Sequence, residues 1–456
     1  MRTLILFGLA AVLYSCGIAP ADRKTADVEL LNPTDTSDAM HHPAWSYAAT
    51  IYEMNTRQHT AEGTLQAAAR DLPRLAALGV GVICLMPVHP IGVINKRGDE
   101  NKGSYIVGPG SSSLGSPYAG TDYTAISPDF GDFEAFDYFV ESAHSLGLRV
   151  ILDWVASHTA FDAVWTQEHL EYYLLDSLGG LQSPRGTDWW DVAELDWESG
   201  VENGLYDAME EAMVFWVRDH GVDGFRCDLA MEVPTPFWEQ TRVALEQINP
   251  EVFMLAESED PGHHRRAFDM SYGWRAHHLF NKVADHRFPI DSLRVYIEEE
   301  QERFGRGDFR MLFVTNYDVN AWNGSIEERM GANEDAMCVL AGTWFGTPML
   351  YSGQATGLSK DFPLYTALNA LHRREPALHA GLAGAWPTEI ETDHPDVVYA
   401  FARRRGDSEV LVALNLGNDP RTVAFDGVDF ERFEHVLGSL DPHFLPAHGY
   451  VVWRRK

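Results

Sequence analysis

Short apolar runs alternate with longer helical patterns along most of the chain. Strands are predicted over 48–54, 80–86, 150–155, 222–228, 252–257, 310–315 and 347–351, with a weaker one near Met270. The second run is apolar at nearly every position, as a strand buried on both faces must be. Between the first two strands Leu65, Ala68, Leu72, Leu75 and Leu78 recur at helical spacing, and Gly79 offers a C-cap. Phe136, Phe139, Val140, Ala143 and Leu146 repeat that stripe ahead of Gly147, and another helix is predicted over 205–219 before Gly221. Repeated strand–helix units favour parallel strands with right-handed crossovers, and eight of them close a (β/α)8 TIM barrel. Two connections, 92–123 and 158–202, are too long to be simple links; the first is rich in Gly and Ser, the second in Trp and acids. From about residue 382 the pattern changes to short β-like runs at 397–403, 410–416, 422–425 and 450–453. The expected fold is therefore α/β. A (β/α)8 barrel over 45–381 carries a loop domain at 158–202 after its third strand, and an antiparallel β domain follows over 382–456.

The N-terminus has a different character. Arg2 precedes an apolar stretch over 4–14 that is too short to span a bilayer, so 1–16 reads as an export signal. Leu13-Tyr14-Ser15-Cys16 resembles the bacterial lipoprotein cleavage box, although Tyr14 stands where that box has a small residue. The resemblance implies that Cys16 is lipidated and that 17–44, His41 and His42 included, is a polar tether. The protein is then exported to the periplasm or cell envelope and touches a membrane only through its lipid; ordinary secretion is the alternative.

The chain of 456 residues carries 67 acidic against 35 basic side chains, a net charge of −32. A surface of that sign repels phosphate backbones, which excludes nucleic acid as a partner. With Cys16 in the leader, Cys84, Cys227 and Cys338 remain, and an odd number gives no disulfide framework. His263-His264 and His277-His278 lack carboxylate or cysteine partners at ligand spacing, so no metal site is expected there.

Three predicted strands lead into carboxylates: Asp228 after the fourth, Glu257 after the fifth and Asp318 just beyond the seventh. Barrel enzymes gather catalytic groups at this end of their strands. Cleaving a glycosidic bond needs one acid to protonate the leaving oxygen and one carboxylate as nucleophile or base. Arg226 and Asp228 lie two apart, so both point to one side of their strand, where the guanidinium keeps the carboxylate ionised. A structural ion pair in the barrel is the competing reading of that spacing.

Gly224-Phe225-Arg226-Cys227-Asp228 resembles the nucleophile motif of the α-amylase family of glycoside hydrolases, family 13. Asp153-Trp154-Val155-Ala156-Ser157-His158, Leu255-Ala256-Glu257 and Thr315-Asn316-Tyr317-Asp318 are similar to its other strand-end motifs, in the same order. Leu85 to Gly92, Ser116-Pro117-Tyr118, Asp122-Tyr123 and Ala193-Glu194-Leu195-Asp196 are similar to its remaining segments. The resemblance implies Asp228 as nucleophile, Glu257 as acid and base, and Asp318 as the residue that holds the distorted sugar. It further implies that Arg226 orients Asp228, that His158 and Asp153 line the sugar subsite, and that Tyr123 stacks on the ring. The substrate implied is an α-1,4-glucan or maltooligosaccharide, hydrolysed with retention and without a cofactor. A transglycosylase or isomerising relative with the same acids, and a glucan-binding protein impaired in catalysis, are the alternatives.

Departures from the family pattern bear on that expectation. Tyr317 replaces a sugar-binding histidine, and it can donate a hydrogen bond but cannot become cationic. Ser157 replaces the asparagine that supplies a calcium-binding oxygen, so structural calcium is not expected. Gln354-Ala355 lacks an acid after the eighth strand, and 103–115 reads as an insertion. The aromatics Trp165, Tyr172, Tyr173, Trp189, Trp190 and Trp197 of the second long loop either stack on sugar or pack that loop onto the barrel, packing being expected for most of them.

Overall fold

A computed structural model of the protein describes residues 40–96, 115–354 and 362–456. The leader with Cys16, the tether as far as residue 39, the insertion at 103–114 and Ala355 lie outside the described residues.

Eight parallel strands close a barrel: β1 Ile51–Met54, β2 Val82–Leu85, β3 Arg149–Val155, β4 Gly224–Asp228, β5 Phe253–Ala256, β6 Met270–Tyr272, β7 Phe309–Leu312 and β8 Thr347–Tyr351. Each pairs with its sequence neighbours, and β1 pairs with β8. The uniformly apolar look of the strands has a direct cause. Val82 and Cys84 join Ile51, Ile151, Leu255 and Met311 in a core inside the barrel, while the alternate residues Ile83, Leu85, Phe225 and Cys227 belong to the larger core under the helices. Cys84, Cys227 and Cys338 are buried free thiols.

Helix α1 (Leu65–Ala77) is capped by Thr64, whose hydroxyl accepts from Ala67 N, and buries Leu65, Ala68, Leu72 and Leu75 as the spacing predicts. Helix α2 (Phe133–Ser145) has Asp132 as its cap and buries Phe136, Phe139, Val140 and Ala143. Helices α3 (Leu205–His220) and α4 (Thr235–Ile248) follow β3 and β4. The strand–helix repeat then breaks. Only a 3-10 turn, Pro261–Arg265, separates β5 from β6, because the connection is short and Asp260 and Pro261 wind it tightly. The next crossover has two helices, α5 (Trp274–Ala284) and α6 (Asp291–Arg303). After β7 come the short α7 (Tyr317–Trp322) and α8 (Glu334–Thr343), and α9 (Phe362–Arg374) follows β8.

The expected tether is corrected at its C-terminal end. His42 Nδ1 bonds Asp269 Oδ1 at 2.9 Å and its ring stacks on Phe309 at 4.3 Å, while Trp45 packs on Phe253. Residues 42–47 are thus anchored on the first residues of β5 and β7, at the end of the barrel opposite the site. An aromatic-rich stretch with a buried carboxylate to meet cannot stay a solvated linker.

Within the long connection after β3, His158–Ala160 pairs antiparallel with Val192–Glu194. Beyond the barrel, β9 (Thr388–Glu389), β10 (Val398–Arg405), β11 (Ser408–Asn415), β12 (Phe433–Gly438) and β13 (Tyr450–Arg455) form an antiparallel sheet in the order β9-β10-β11-β13-β12. The strand expected at 422–425 is reduced to a two-residue ladder, Arg421–Thr422 with Phe444–Leu445, and β12 has no counterpart in the sequence reading.

Candidate active site

Register places the first two acids side by side. Cys227 pairs with Ala256, so Asp228 and Glu257, one step further along β4 and β5, leave the barrel next to each other. Gly224 permits that close pairing, since a Cβ there would lie 1.8 Å from the Phe253 carbonyl oxygen. On β4 the alternation directs Gly224, Arg226 and Asp228 inward, and Arg226 is completely buried.

Arg226 is the hub of the site. Its Nη1 donates to Asp153 Oδ1 and to Asp228 Oδ1, each at 2.6 Å, and its Nη2 lies 2.9 Å from Glu257 Oε2. Nε donates to the Tyr272 hydroxyl at 3.1 Å, and the guanidinium carbon sits 5.5 Å from the centre of the Tyr317 ring. One cation thus serves three buried carboxyls, and burying them without it would cost several kcal/mol per charge. Leu229, just after Asp228, takes a left-handed conformation (φ 44°) that turns its N–H onto Glu257 Oε2 at 3.0 Å. Such a backbone is uncommon outside glycine, and here it completes the cradle of the acid.

Electrostatics separate the carboxyls. Burial pushes Glu257 up to about 7, with the charge of Asp228 adding to it and Arg226 opposing. Burial also raises Asp228, but Arg226 and a hydrogen bond from Glu257 restrain it to about 6. Asp318 is raised to about 6 by burial and by Glu257, while a hydrogen bond from Trp322 opposes. All three acids line one cavity of about 320 Å3, walled by Tyr118, His158, Trp189, Tyr317 and Trp322. A few polar groups converging in an aromatic-walled cleft, with carboxyls of unequal proton affinity, form a setting for acid–base chemistry on a small polar ring.

The α-amylase catalytic-domain family model matches residues 34–370. The chain belongs to the α-amylase family. This α-amylase-family protein is 32% identical over 313 residues to an alpha-1,4-glucan:maltose-1-phosphate maltosyltransferase of Cereibacter sphaeroides, over 66% of this chain and 51% of that protein. A maltosyltransferase of the same name from Salinibacter ruber is 26% identical over 415 residues, 82% of this chain and 59% of its own. The chain therefore spans little more than half the length of these curated relatives. Among solved structures, an alpha-amylase from Lactobacillus plantarum has a TM-score of 0.77 at 24% identity, covering 90% of this chain and 100% of that one.

Within this α-amylase-family site most expected residues stand together, and two are corrected. Asp228, Glu257, Asp318, His158 and Tyr317 line the cavity, and Arg226 lies directly beneath. Asp153 does not line it: at 1% exposure it sits behind Arg226 and accepts from the Tyr118 hydroxyl at 2.8 Å. Tyr123 does not face the cavity either. Its hydroxyl donates to Val155 O at 2.7 Å and its ring packs against Trp154 and Trp165, so it holds the long loop to the barrel. The tyrosine of this loop that lines the cavity is instead Tyr118, buried and stacked on Tyr317 at 4.8 Å. Ser116-Pro117-Tyr118 was the signal for it in the sequence. Of the loop aromatics, Tyr172, Tyr173 and Trp197 are buried in packing, whereas Trp189 reaches the cavity. Ser157 Oγ bonds His158 Nδ1 at 2.9 Å, and a short hydroxyl already engaged does not fit a calcium ligand. Burial lowers His158 to about 4, so it faces a sugar as a neutral ring.

Proposed function

We propose that the protein is a retaining enzyme of α-1,4-glucans that passes a glucosyl unit through a covalent bond to Asp228. One observation supports this reading: the single guanidinium of Arg226 holds both carboxyls, Asp228 Oδ1 at 2.6 Å from Nη1 and Glu257 Oε2 at 2.9 Å from Nη2, which keeps them close together. Retaining glycosidases hold their two carboxyls close, whereas inverting ones keep about 6.5–9.5 Å between them for a water. Asp228, ionised beside Arg226, attacks the anomeric carbon as Glu257 gives its proton to the departing oxygen. In the second half Glu257 takes a proton from the incoming hydroxyl, which displaces Asp228 and restores the starting configuration. Asp318, on the wall shared with Trp322, accepts from the hydroxyls of the distorted sugar.

The same acids serve a sugar hydroxyl or water. The curated relatives bear the name of maltosyltransferases, which favours transfer to a sugar over the hydrolysis expected from the sequence. Hydrolysis is the second reading, because the resemblance of the motifs is common to both. Maltoheptaose incubated with the protein is expected to yield α-configured products longer than itself. Shorter sugars alone establish hydrolysis, and a β-anomeric product removes the retaining mechanism.

Export with Cys16 as lipid anchor is part of the same proposal. It predicts that the protein partitions into the detergent phase and that Cys16→Ala moves it to the aqueous phase. Unchanged partitioning of Cys16→Ala ends the anchor.

A further inference from the structure

A further carboxyl stands inside the barrel beside Asp153, Asp228, Glu257 and Asp318, and the proposed reaction gives it no task. Glu53 lies on β1, two residues from Ile51 of the inner core, and is 2% exposed. Its Oε2 accepts from the Tyr317 backbone N–H at 2.8 Å. Tyr317 opens α7, and the next residue is Asp318.

A helix of six residues has too few internal bonds to hold its own position. Asn316 Oδ1 accepts from Val319 N at 2.9 Å, which closes the first turn but does not tie it to the barrel. The Glu53 bond does so: it joins a rigid strand to the segment that presents both Tyr317 and Asp318. Around Glu53 stand the charges of Arg226, Asp153 and Glu257, with Cys84, Tyr272 and Tyr351 as the other titratable neighbours. Burial pushes Glu53 up to about 8. At neutral pH it is then mostly the neutral acid, which still accepts the N–H without adding a fourth negative charge around Arg226.

We infer that Glu53 is a positioning residue that fixes Asp318 and Tyr317 against the Arg226–Asp228–Glu257 cluster; this rests on the retaining reading above. Misplacing a group in such a site by about 1 Å costs on the order of 100-fold in rate. Glu53→Gln keeps a neutral side chain of the same shape with an acceptor for Tyr317 N, whereas Glu53→Leu removes the acceptor.

With maltoheptaose as substrate, Glu53→Leu is expected to lose about 10- to 100-fold in kcat with KM changed less than about threefold, and Glu53→Gln to recover most of that loss. In a double-mutant cycle Glu53→Leu should cost little on top of Asp318→Asn, since the group it positions is already disabled. Thermal unfolding checks that the variants fold; if Glu53→Leu does not, the Gln variant decides. Wild-type rates in Glu53→Leu, losses that multiply independently with Asp318→Asn, or a Gln variant as slow as Asp318→Asn each overturn the assignment. A wild-type protein inactive on every α-glucan overturns the retaining reading and this role with it, whereas an active wild type insensitive at Glu53 overturns this role alone.

Discussion

Asp228→Asn is expected to lower kcat on maltooligosaccharides by about 10^4- to 10^6-fold, leaving binding of the substrate nearly unchanged. Asparagine keeps an oxygen for Arg226 Nη1, which holds Asp228 at 2.6 Å, so the geometry of the cluster survives. What disappears is the nucleophile, since an amide oxygen is a poor one and leaves a poor intermediate. The fold has little reason to suffer, because Asp153, Asp228 and Glu257 share one guanidinium and replacing one of the three carboxyls by a neutral amide eases their crowding. Mass spectrometry of the wild type quenched during turnover should show a glycosyl adduct that the variant lacks. Residual activity above about one hundredth of wild type would assign the nucleophile elsewhere.

How far the sequence foretells this site varies with the kind of information each residue needs. Strand ends are legible because apolar runs terminate in acids, and register then does the rest: Asp228 and Glu257 meet because Cys227 pairs with Ala256. The missing helix between β5 and β6 is not signalled by periodicity, since only the shortness of the connection betrays it. Tyr123 and Tyr118 are five residues apart in a Gly- and Ser-rich loop, and nothing in local pattern tells which tyrosine turns inward. Position settles it: the Tyr123 hydroxyl is taken by the Val155 carbonyl, whereas that of Tyr118 reaches Asp153. Glu53 escapes for a different reason. It stands within a strand rather than after one, so a single acid between Tyr52 and Met54 reads as an interruption of the apolar run. Its partner, the Tyr317 N–H, is distant in sequence and carries no side-chain signature. His42 reads as part of a tether because the segment before it is polar; the buried Asp269 that recruits it is 227 residues away.

The proton affinities of the two central carboxyls predict a narrow window of activity. Glu257 must hold a proton when substrate arrives and is pushed up to about 7, while Asp228 must lack one and is raised only to about 6. As pH falls through the lower value Asp228 gains a proton and the nucleophile is lost; as pH rises through the higher value Glu257 loses its proton and the acid is lost. A bell-shaped kcat/KM with its maximum between about 6 and 7 follows, its limbs belonging to the pair because both carboxyls are held by the one guanidinium of Arg226. Glu257→Gln should lower kcat/KM on maltoheptaose by about 10^2- to 10^4-fold and abolish the alkaline limb. The acidic limb should remain, since Glu257 already carries its proton, and no charge, where Asp228 titrates. With a nitrophenyl maltoside, whose leaving group departs as a stable anion, kcat/KM of the same variant should fall far less, because that step needs no proton. An alkaline limb that persists in Glu257→Gln, or equal losses on the two substrates, would place the acid on another residue.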